Sequence, residues 1–193
     1  MKLYILIFLI LISDSLFAQK AETSSAHSTS LQLIQENVSV PKYQVQFETG
    51  YSFGIDSYHI DYLKFNAVYD YNINPNISIG IGSGLREALQ VKDALIPFFA
   101  DFRAHIPLAH IPLYLALAVG YSLDVTSDFK TEGFYFLINP SAGFRIWLTD
   151  KTVINIGIGY ENQKLKMSYD NYNVPAGSTI QTNGISLNTG IIF

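Results

Sequence analysis

Cysteine is absent from this 193-residue sequence, which excludes disulfide bonds and thiolate metal sites. Charged residues are also scarce, at 15% of the chain against about 25% in a typical soluble domain, whereas hydrophobic residues make up 49%. The net charge of −4 argues against nucleic acid as a partner, because phosphate binding needs clustered Lys and Arg. After the first few residues no apolar run approaches the roughly eighteen residues that a membrane-spanning helix needs.

The amino terminus has the pattern of an export signal. Lys2 precedes an uninterrupted apolar run over 3–12, and Ala18 offers a small residue at a cleavage site. This pattern predicts a secretory signal peptide over 1–18, because the run is too short to span a bilayer. Residues 19–42 are rich in Ser, Thr, Gln and Glu, and we expect a mobile periplasmic lead-in there. The alternative is a short segment that docks into the mouth of the following domain.

From Tyr43 to Phe193 the sequence alternates with a period of two, which is the signature of β-strands. In each strand one set of alternate residues is aliphatic or aromatic, and the other set is mostly Gly, Ser, Asn and Ala. Eight such segments are predicted, at 44–53, 62–71, 77–85, 96–106, 113–122, 134–146, 154–161 and 183–193. The sequence therefore predicts one all-β domain over 43–193.

The connections between these strands fall into two alternating classes. Short turns are expected near 74–76, 107–112 and 149–151, and mostly longer connections near 55–58, 86–93, 124–132 and 162–181. Short periplasmic turns that alternate with longer outer loops are the expected layout of a transmembrane β-barrel. The connection over 162–181 is predicted to be the longest outer loop.

The composition of the polar face distinguishes a membrane barrel from a soluble one. A surface in contact with water usually carries many Lys, Glu, Asp and Arg, whereas small residues suit the narrow interior of an eight-stranded barrel. Aromatic residues on the apolar face are predicted to form two girdles at the rims, which are Tyr51, Phe53, Tyr121, Phe134 and Tyr160 at one rim and Tyr69, Tyr71, Phe144 and Phe193 at the other. A soluble barrel with an apolar interior is the alternative.

The last strand, over 183–193, ends on Phe193 after apolar residues at every second position. In this it resembles the closing strand of bacterial outer-membrane β-barrels, and the chain from Tyr43 to Phe193 resembles small barrels of the outer-membrane protein A or X type. The resemblance implies an eight-stranded antiparallel up-and-down transmembrane β-barrel in the cell outer membrane, in contact with its lipid. It further implies that Phe193 is read by the barrel-assembly machinery, and that the protein is a non-enzymatic envelope protein or a surface-binding scaffold that needs no cofactor.

The inward face is predicted to carry a network of charges with equal numbers of each sign, namely Glu48, Asp70, Asp101 and Glu161 against Lys64, Arg86, Arg103 and Arg145. Buried charges persist when they are paired and hydrogen-bonded, so a balanced set in a narrow lumen predicts a salt-bridged plug. Two alternatives are a gate that opens by exchange of partners and a narrow channel for small solutes. A wide diffusion pore needs about sixteen strands.

A lipid-modifying enzyme of the acyl hydrolase type is the other alternative. It would need a Ser, a His and a carboxylate at the outer rim, where only His59 lies, with Ser57, Asp56 and Asp61 nearby in sequence. His105 and His110 lie by a predicted periplasmic turn, and two imidazoles are too few for a zinc site. No catalytic, cofactor-binding or metal-binding residue is predicted.

Overall fold

Eight β-strands make up most of the part of the chain that the structure describes. A computed structural model describes residues 41–90, 93–108, 111–125, 131–149, 152–166, 175 and 177–193. The strands are β1 (Tyr43–Gly54), β2 (Tyr62–Asn74), β3 (Ile77–Ala88), β4 (Asp93–Leu108), β5 (Ile111–Val125), β6 (Thr131–Trp147), β7 (Val153–Lys166) and β8 (Thr179–Ile192). The expected signal peptide, the lead-in up to residue 40 and His110 lie outside the described residues. Within the described part of the chain, no helix has the length and apolar character needed to cross a bilayer.

The strands form a closed barrel in which each pairs antiparallel with its neighbours in sequence. The barrel closes where β1 pairs with β8, from Gln46 opposite Ile192 to Gly54 opposite Gly184. Phe193 extends this closure, because its backbone exchanges two hydrogen bonds of 3.0 and 3.2 Å with Val45. The predicted fold, an eight-stranded antiparallel up-and-down barrel, is confirmed.

The two ends of the barrel differ in their connections. One end, called the turn end here, holds the start of β1, the end of β8 and the connections β2–β3, β4–β5 and β6–β7. At β2–β3 the side chain of Asn74 accepts a hydrogen bond of 2.8 Å from the backbone N–H of Asn76, which is the usual way an Asn stabilises a tight turn. The opposite end, the loop end, holds the other connections.

The strands extend further toward the loop end than the sequence predicted. β7 continues to Lys166 and β8 begins at Thr179, so residues 162–166 and 179–181 belong to the barrel wall, and the prediction of a loop over all of 162–181 was wrong. The cause is a change in the inward face, which becomes apolar at this end. Ala88, Leu95, Leu165 and Ile180 all point inward and are buried. The alternation of apolar and polar residues is therefore lost at the loop end, although the strands continue there.

The two faces of the wall have opposite chemistry. Large apolar side chains are exposed on the outward face all around the barrel, with Ile81 71% and Phe134 69% exposed. Buried polar and charged side chains occupy the inward face, where Gln46, Gln163 and Ser186 are fully buried. A water-soluble protein has the reverse distribution.

Two inward aromatic rings fill space that glycines leave open. The ring of Phe99 lies against Gly82, and the hydroxyl of Tyr114 lies against Gly157, so that a methyl group at either glycine would collide with the ring or its hydroxyl. Small residues on one wall thus accommodate a large one on another, as the narrow interior of an eight-stranded barrel requires.

Candidate functional site

The lumen is where the inward faces of all eight strands meet, and it contains the eight charges predicted for it. Six of these are buried, while Glu48 and Arg145 are half-buried. They do not form one network. Salt bridges join six of them into two clusters of three at different heights.

The loop-end ion cluster consists of Lys64, Arg86 and Glu161. Lys64 Nζ lies 2.7 Å from Glu161 Oε2, and Arg86 Nη1 lies 2.5 Å from Glu161 Oε1. Lys64 and Arg86 face each other across the β2–β3 pair, and Glu161 reaches them from β7. One carboxylate on the far wall therefore joins two cations across the barrel axis.

Neutral polar side chains surround the loop-end ion cluster. Arg86 Nη1 also donates a hydrogen bond of 3.5 Å to Gln163 Oε1, which accepts another of 2.9 Å from Ser122. The Tyr62 and Thr182 hydroxyls are 2.9 Å apart. These bonds link β2, β3, β5, β7 and β8, so the cross-section is spanned by side chains at this height.

The turn-side ion cluster is built around Arg103. Its Nε donates a hydrogen bond of 2.5 Å to Asp101 Oδ2, and its Nη2 donates one of 3.0 Å to Glu48 Oε1. Gln46 also donates to Glu48 Oε1. The guanidinium lies over the Tyr114 ring, 5.9 Å from its centroid. Because Arg103 belongs to β4 and Glu48 to β1, this cluster also spans the lumen.

Two of the predicted charges are not paired with the others. Asp70 accepts a hydrogen bond of 3.4 Å from Gln44, and its Oδ1 has no partner among the described residues. Arg145 forms no salt bridge with any described residue, and its guanidinium instead lies 5.6 Å from the centroid of the Trp147 ring. Equal numbers of each sign therefore do not produce one-to-one pairs.

Sequence analysis missed a further buried acid, Asp124, which is fully buried near the end of β5 and accepts a hydrogen bond of 3.3 Å from the backbone N–H of Lys166. Asp124 lies two residues after Ser122 and therefore on the same inward face of the strand, and this spacing could have identified it. The prediction placed Asp124 in a loop instead.

A small cavity lies between the two clusters. Its volume is about 20 Å³, and it is bordered by Arg86 on one side and by Asp101, Arg103 and Glu48 on the other, with Tyr114 in its wall. A volume of this size holds about one water molecule.

An apolar cap closes the lumen at the loop end. It consists of buried side chains that pack together, namely Ile60, Tyr62, Ala88, Leu95, Leu165 and Ile180. Ile60 comes from the β1–β2 connection and is 1% exposed, so this connection folds over the opening. The pattern of polar inward residues gave no sign of the cap, because its members are apolar.

Two aspartates fix the conformation of the β1–β2 connection. Asp56 accepts hydrogen bonds from the backbone N–H of Tyr58, at 2.9 Å, and of Asn183 on β8, at 2.6 Å. Asp61 accepts hydrogen bonds from the backbone N–H of Gly54, at 2.9 Å, and from the Tyr51 hydroxyl, at 2.8 Å. Partial burial alone would raise the pKa of Asp61, but these hydrogen bonds favour the carboxylate more strongly and lower the pKa below its usual value.

His59 takes part in the turn of this connection. Its φ of 47° lies in the left-handed region that few non-glycine residues adopt, and its Nδ1 lies 3.3 Å from the Gly54 carbonyl oxygen. Asp56 accepts a hydrogen bond of 3.2 Å from the His59 backbone N–H, and no described carboxylate is hydrogen-bonded to the imidazole. The arrangement that an acyl hydrolase would need around His59 is not assembled among the described residues.

His105 lies in the turn-side half of the lumen, and neither of its ring nitrogens has a hydrogen-bond partner among the described residues. Within the same part of the chain, no three His, Asp or Glu side chains lie close enough together to hold a metal ion.

Fold and lumen together define the class: a closed eight-stranded antiparallel β-barrel, apolar outside and filled with charged and polar side chains inside. Neisserial surface protein A has a similar fold, with a TM-score of 0.58 at 11% identity over 79% of this chain and 96% of that one. The amino-terminal β-barrel domain of OprF from Pseudomonas aeruginosa aligns with a TM-score of 0.48 at 12% identity, over 78% of this chain and 96% of that one. No family model and no curated protein matches the chain in sequence.

Proposed function

We propose that this chain is a non-enzymatic outer-membrane β-barrel protein with a closed lumen, which acts as an envelope structural protein or as a surface-binding scaffold through its loop end. The observation that carries the proposal is the distribution of side chains between the two faces. Burial of the outward face in lipid removes its apolar side chains from water, and a closed barrel leaves no unpaired strand edge in the hydrocarbon.

Aromatic residues at the rims support the membrane location. At the turn end Tyr43 stacks on Tyr69 with ring centroids 5.8 Å apart, and the Lys42 ammonium lies 5.5 Å from the centroid of the Tyr71 ring. Toward the loop end Tyr51 and Phe53 pack with centroids 4.7 Å apart. Tyrosine and lysine are favoured where hydrocarbon meets water. Phe193, exposed at the turn end, is available to the assembly machinery.

The closed lumen argues for a scaffold over a channel. The apolar cap, the loop-end ion cluster and the turn-side ion cluster lie one after another along the axis, and a solute would have to displace all three. Activity as a lipid-modifying enzyme has no such support, since among the described residues the His59 imidazole contacts the Gly54 carbonyl oxygen and not a carboxylate.

Site-directed spin labelling tests the membrane location, and the absence of native cysteine makes single-cysteine variants unambiguous. In lipid vesicles, labels at Ile81→Cys and Ile158→Cys, on the outward faces of β3 and β7, are expected to collide with oxygen, which partitions into hydrocarbon, and to be shielded from a water-soluble nickel chelate. A label at Gln90→Cys, in the β3–β4 connection, is the control and should show the opposite preference. Accessibility of the two wall labels to the nickel chelate would exclude a transmembrane barrel.

A further inference from the structure

Buried polar atoms without partners occur on several walls of the turn-side half of the lumen, and four of them lie on β4 and β6. They are both ring nitrogens of His105, Nη1 of Arg103 and Nε of Arg145, and no described residue satisfies any of them. Tyr114 of β5 separates the two strands, opposite His105 on one side and Gly143 on the other. Buried donors normally have a protein, water or ligand acceptor, so these atoms indicate a place for something the chain itself does not provide.

The turn-side half of the lumen holds Glu48, Asp70 and Asp101 against Arg103 and Arg145, and of these two cations only Arg103 forms a salt bridge with a described carboxylate. The guanidinium of Arg145 has no carboxylate within salt-bridge distance among the described residues, so this half-buried charge lacks a counter-ion in direct contact. Both Arg103 and Arg145 act electrostatically on His105, and they repel each other. Asp70 attracts Arg145 from β2, on the opposite wall, without a salt bridge.

The carboxylates near Arg103 are already engaged. Asp101 and Glu48 accept from its Nε and Nη2, which leaves Nη1 directed elsewhere. Arg103 is 4% exposed and held by these bonds and by the Tyr114 ring, so its free Nη1 is fixed in position. A donor held in place before binding loses little conformational entropy when a ligand arrives.

We propose that Arg103, His105 and Arg145 form a binding site for a phosphate group, open to the turn end of the barrel. A phosphate can accept charge-assisted hydrogen bonds from several donors at once and supplies the negative charge that Arg145 lacks. Access is from the turn end, because His105 and Arg145 lie near the ends of β4 and β6, while the loop end is closed by the apolar cap. The phosphate belongs either to a soluble anion or to a lipid headgroup.

Nuclear magnetic resonance of the barrel in a maltoside detergent, which contains no phosphate, tests this site. Titration with inorganic phosphate at constant ionic strength is expected to shift the Nε–Hε resonance of Arg145 and the ring resonances of His105 with one saturable curve. Arg145→Gln should abolish the saturable shift at His105, because it removes the unpaired cation. Lys42→Gln, which removes a cation at the same end but outside the lumen, should leave it unchanged.

A second titration distinguishes the two sources of phosphate. In this titration, bicelles that contain phosphatidylglycerol replace inorganic phosphate. If the saturable shift at His105 is seen only in these bicelles, and is lost in Arg145→Gln, the site binds a lipid headgroup. A shift with inorganic phosphate assigns it to a soluble anion. If neither probe gives a saturable shift, or if Arg145→Gln responds as the unmodified protein does, the phosphate site is excluded. The characteristic gel mobility of a folded barrel verifies that each variant is folded.

Discussion

Glu161 holds the loop-end ion cluster together, because both Lys64 and Arg86 bind this one carboxylate and all three side chains are almost completely buried. The desolvation of three charges is compensated only while each cation has its partner. Among the described residues, a further hydrogen-bond acceptor for Arg86 is Gln163, at 3.5 Å, which is too distant to replace the carboxylate.

Glu161→Gln is therefore expected to destabilise the barrel strongly. The substitution leaves two buried cations without a counter-charge, and we expect the free energy of unfolding in lipid vesicles to fall by about 3 kcal/mol or more, as for other buried pairs that lose one partner. Lys164→Gln removes an exposed charge from the same strand and should change the free energy by less than about 0.5 kcal/mol. Equal effects of the two substitutions would mean that Glu161 does not bind the two cations.

The contact between Gly82 and Phe99 gives a second prediction for individual residues. A methyl group at Gly82 would overlap the Phe99 ring, so Gly82→Ala is expected to cost about 1–3 kcal/mol of stability through overpacking. Phe99→Leu in the same chain should relieve part of this cost, which a double-mutant cycle measures as a coupling energy of about 0.5–3 kcal/mol. Ser83→Ala, at the neighbouring outward position, is the control. Additive effects of the two substitutions would contradict the packing described here.

Among the structural elements, the β1–β2 connection contributes to the closure of the loop end. Hydrogen bonds to Asp56 and Asp61 tie it to β1 and β8, and its Ile60 side chain completes the apolar cap. The neighbouring β3–β4 connection is tied to it as well, since the Leu89 backbone N–H donates to the Asp61 carbonyl oxygen at 3.0 Å. Order in this connection therefore depends on the ionised form of Asp61.

We expect acid to loosen this connection before the barrel wall. The pKa of Asp61 is lower in the folded than in the unfolded connection, so its stabilising effect is complete above the ordinary aspartate pKa and is lost as the pH falls through the lower folded value. Protection of the Gly54 amide against hydrogen exchange, corrected for the intrinsic effect of pH, should fall in that window. Asp61→Asn should lower the protection at neutral pH and remove the acid step. A step of equal size in Asp61→Asn would assign the change to another group.

The strands themselves could be predicted from sequence, but their loop-side ends could not. Alternation identified the inward face wherever small or polar residues such as Gly80 and Ser186 occupy it, and it placed Glu161 and Arg103 in the lumen. It failed at Leu95 and Leu165, because an apolar inward residue between apolar outward ones leaves no period to detect. The partners in the salt bridges could not be predicted from the sequence either. The contact of one carboxylate with two cations on β2 and β3 depends on how the barrel closes.

At the scale of the whole molecule, the barrel combines an outward face that needs lipid with an interior closed at several heights. Side chains from opposite walls meet in both ion clusters, and about one water molecule fits between them. The proposed phosphate site opens only to the turn end. We expect a molecule built this way to bind through its loop end and not to transport solutes through its lumen.

Ion flux across a bilayer tests the closed barrel most directly. The purified monomer is inserted into planar bilayers, with insertion verified in matched vesicles by protection of the barrel from protease. The structure predicts no stable large conductance, because the apolar cap and both ion clusters block the axis. Steady porin-like conductance steps from a verified monomer would contradict the closed lumen.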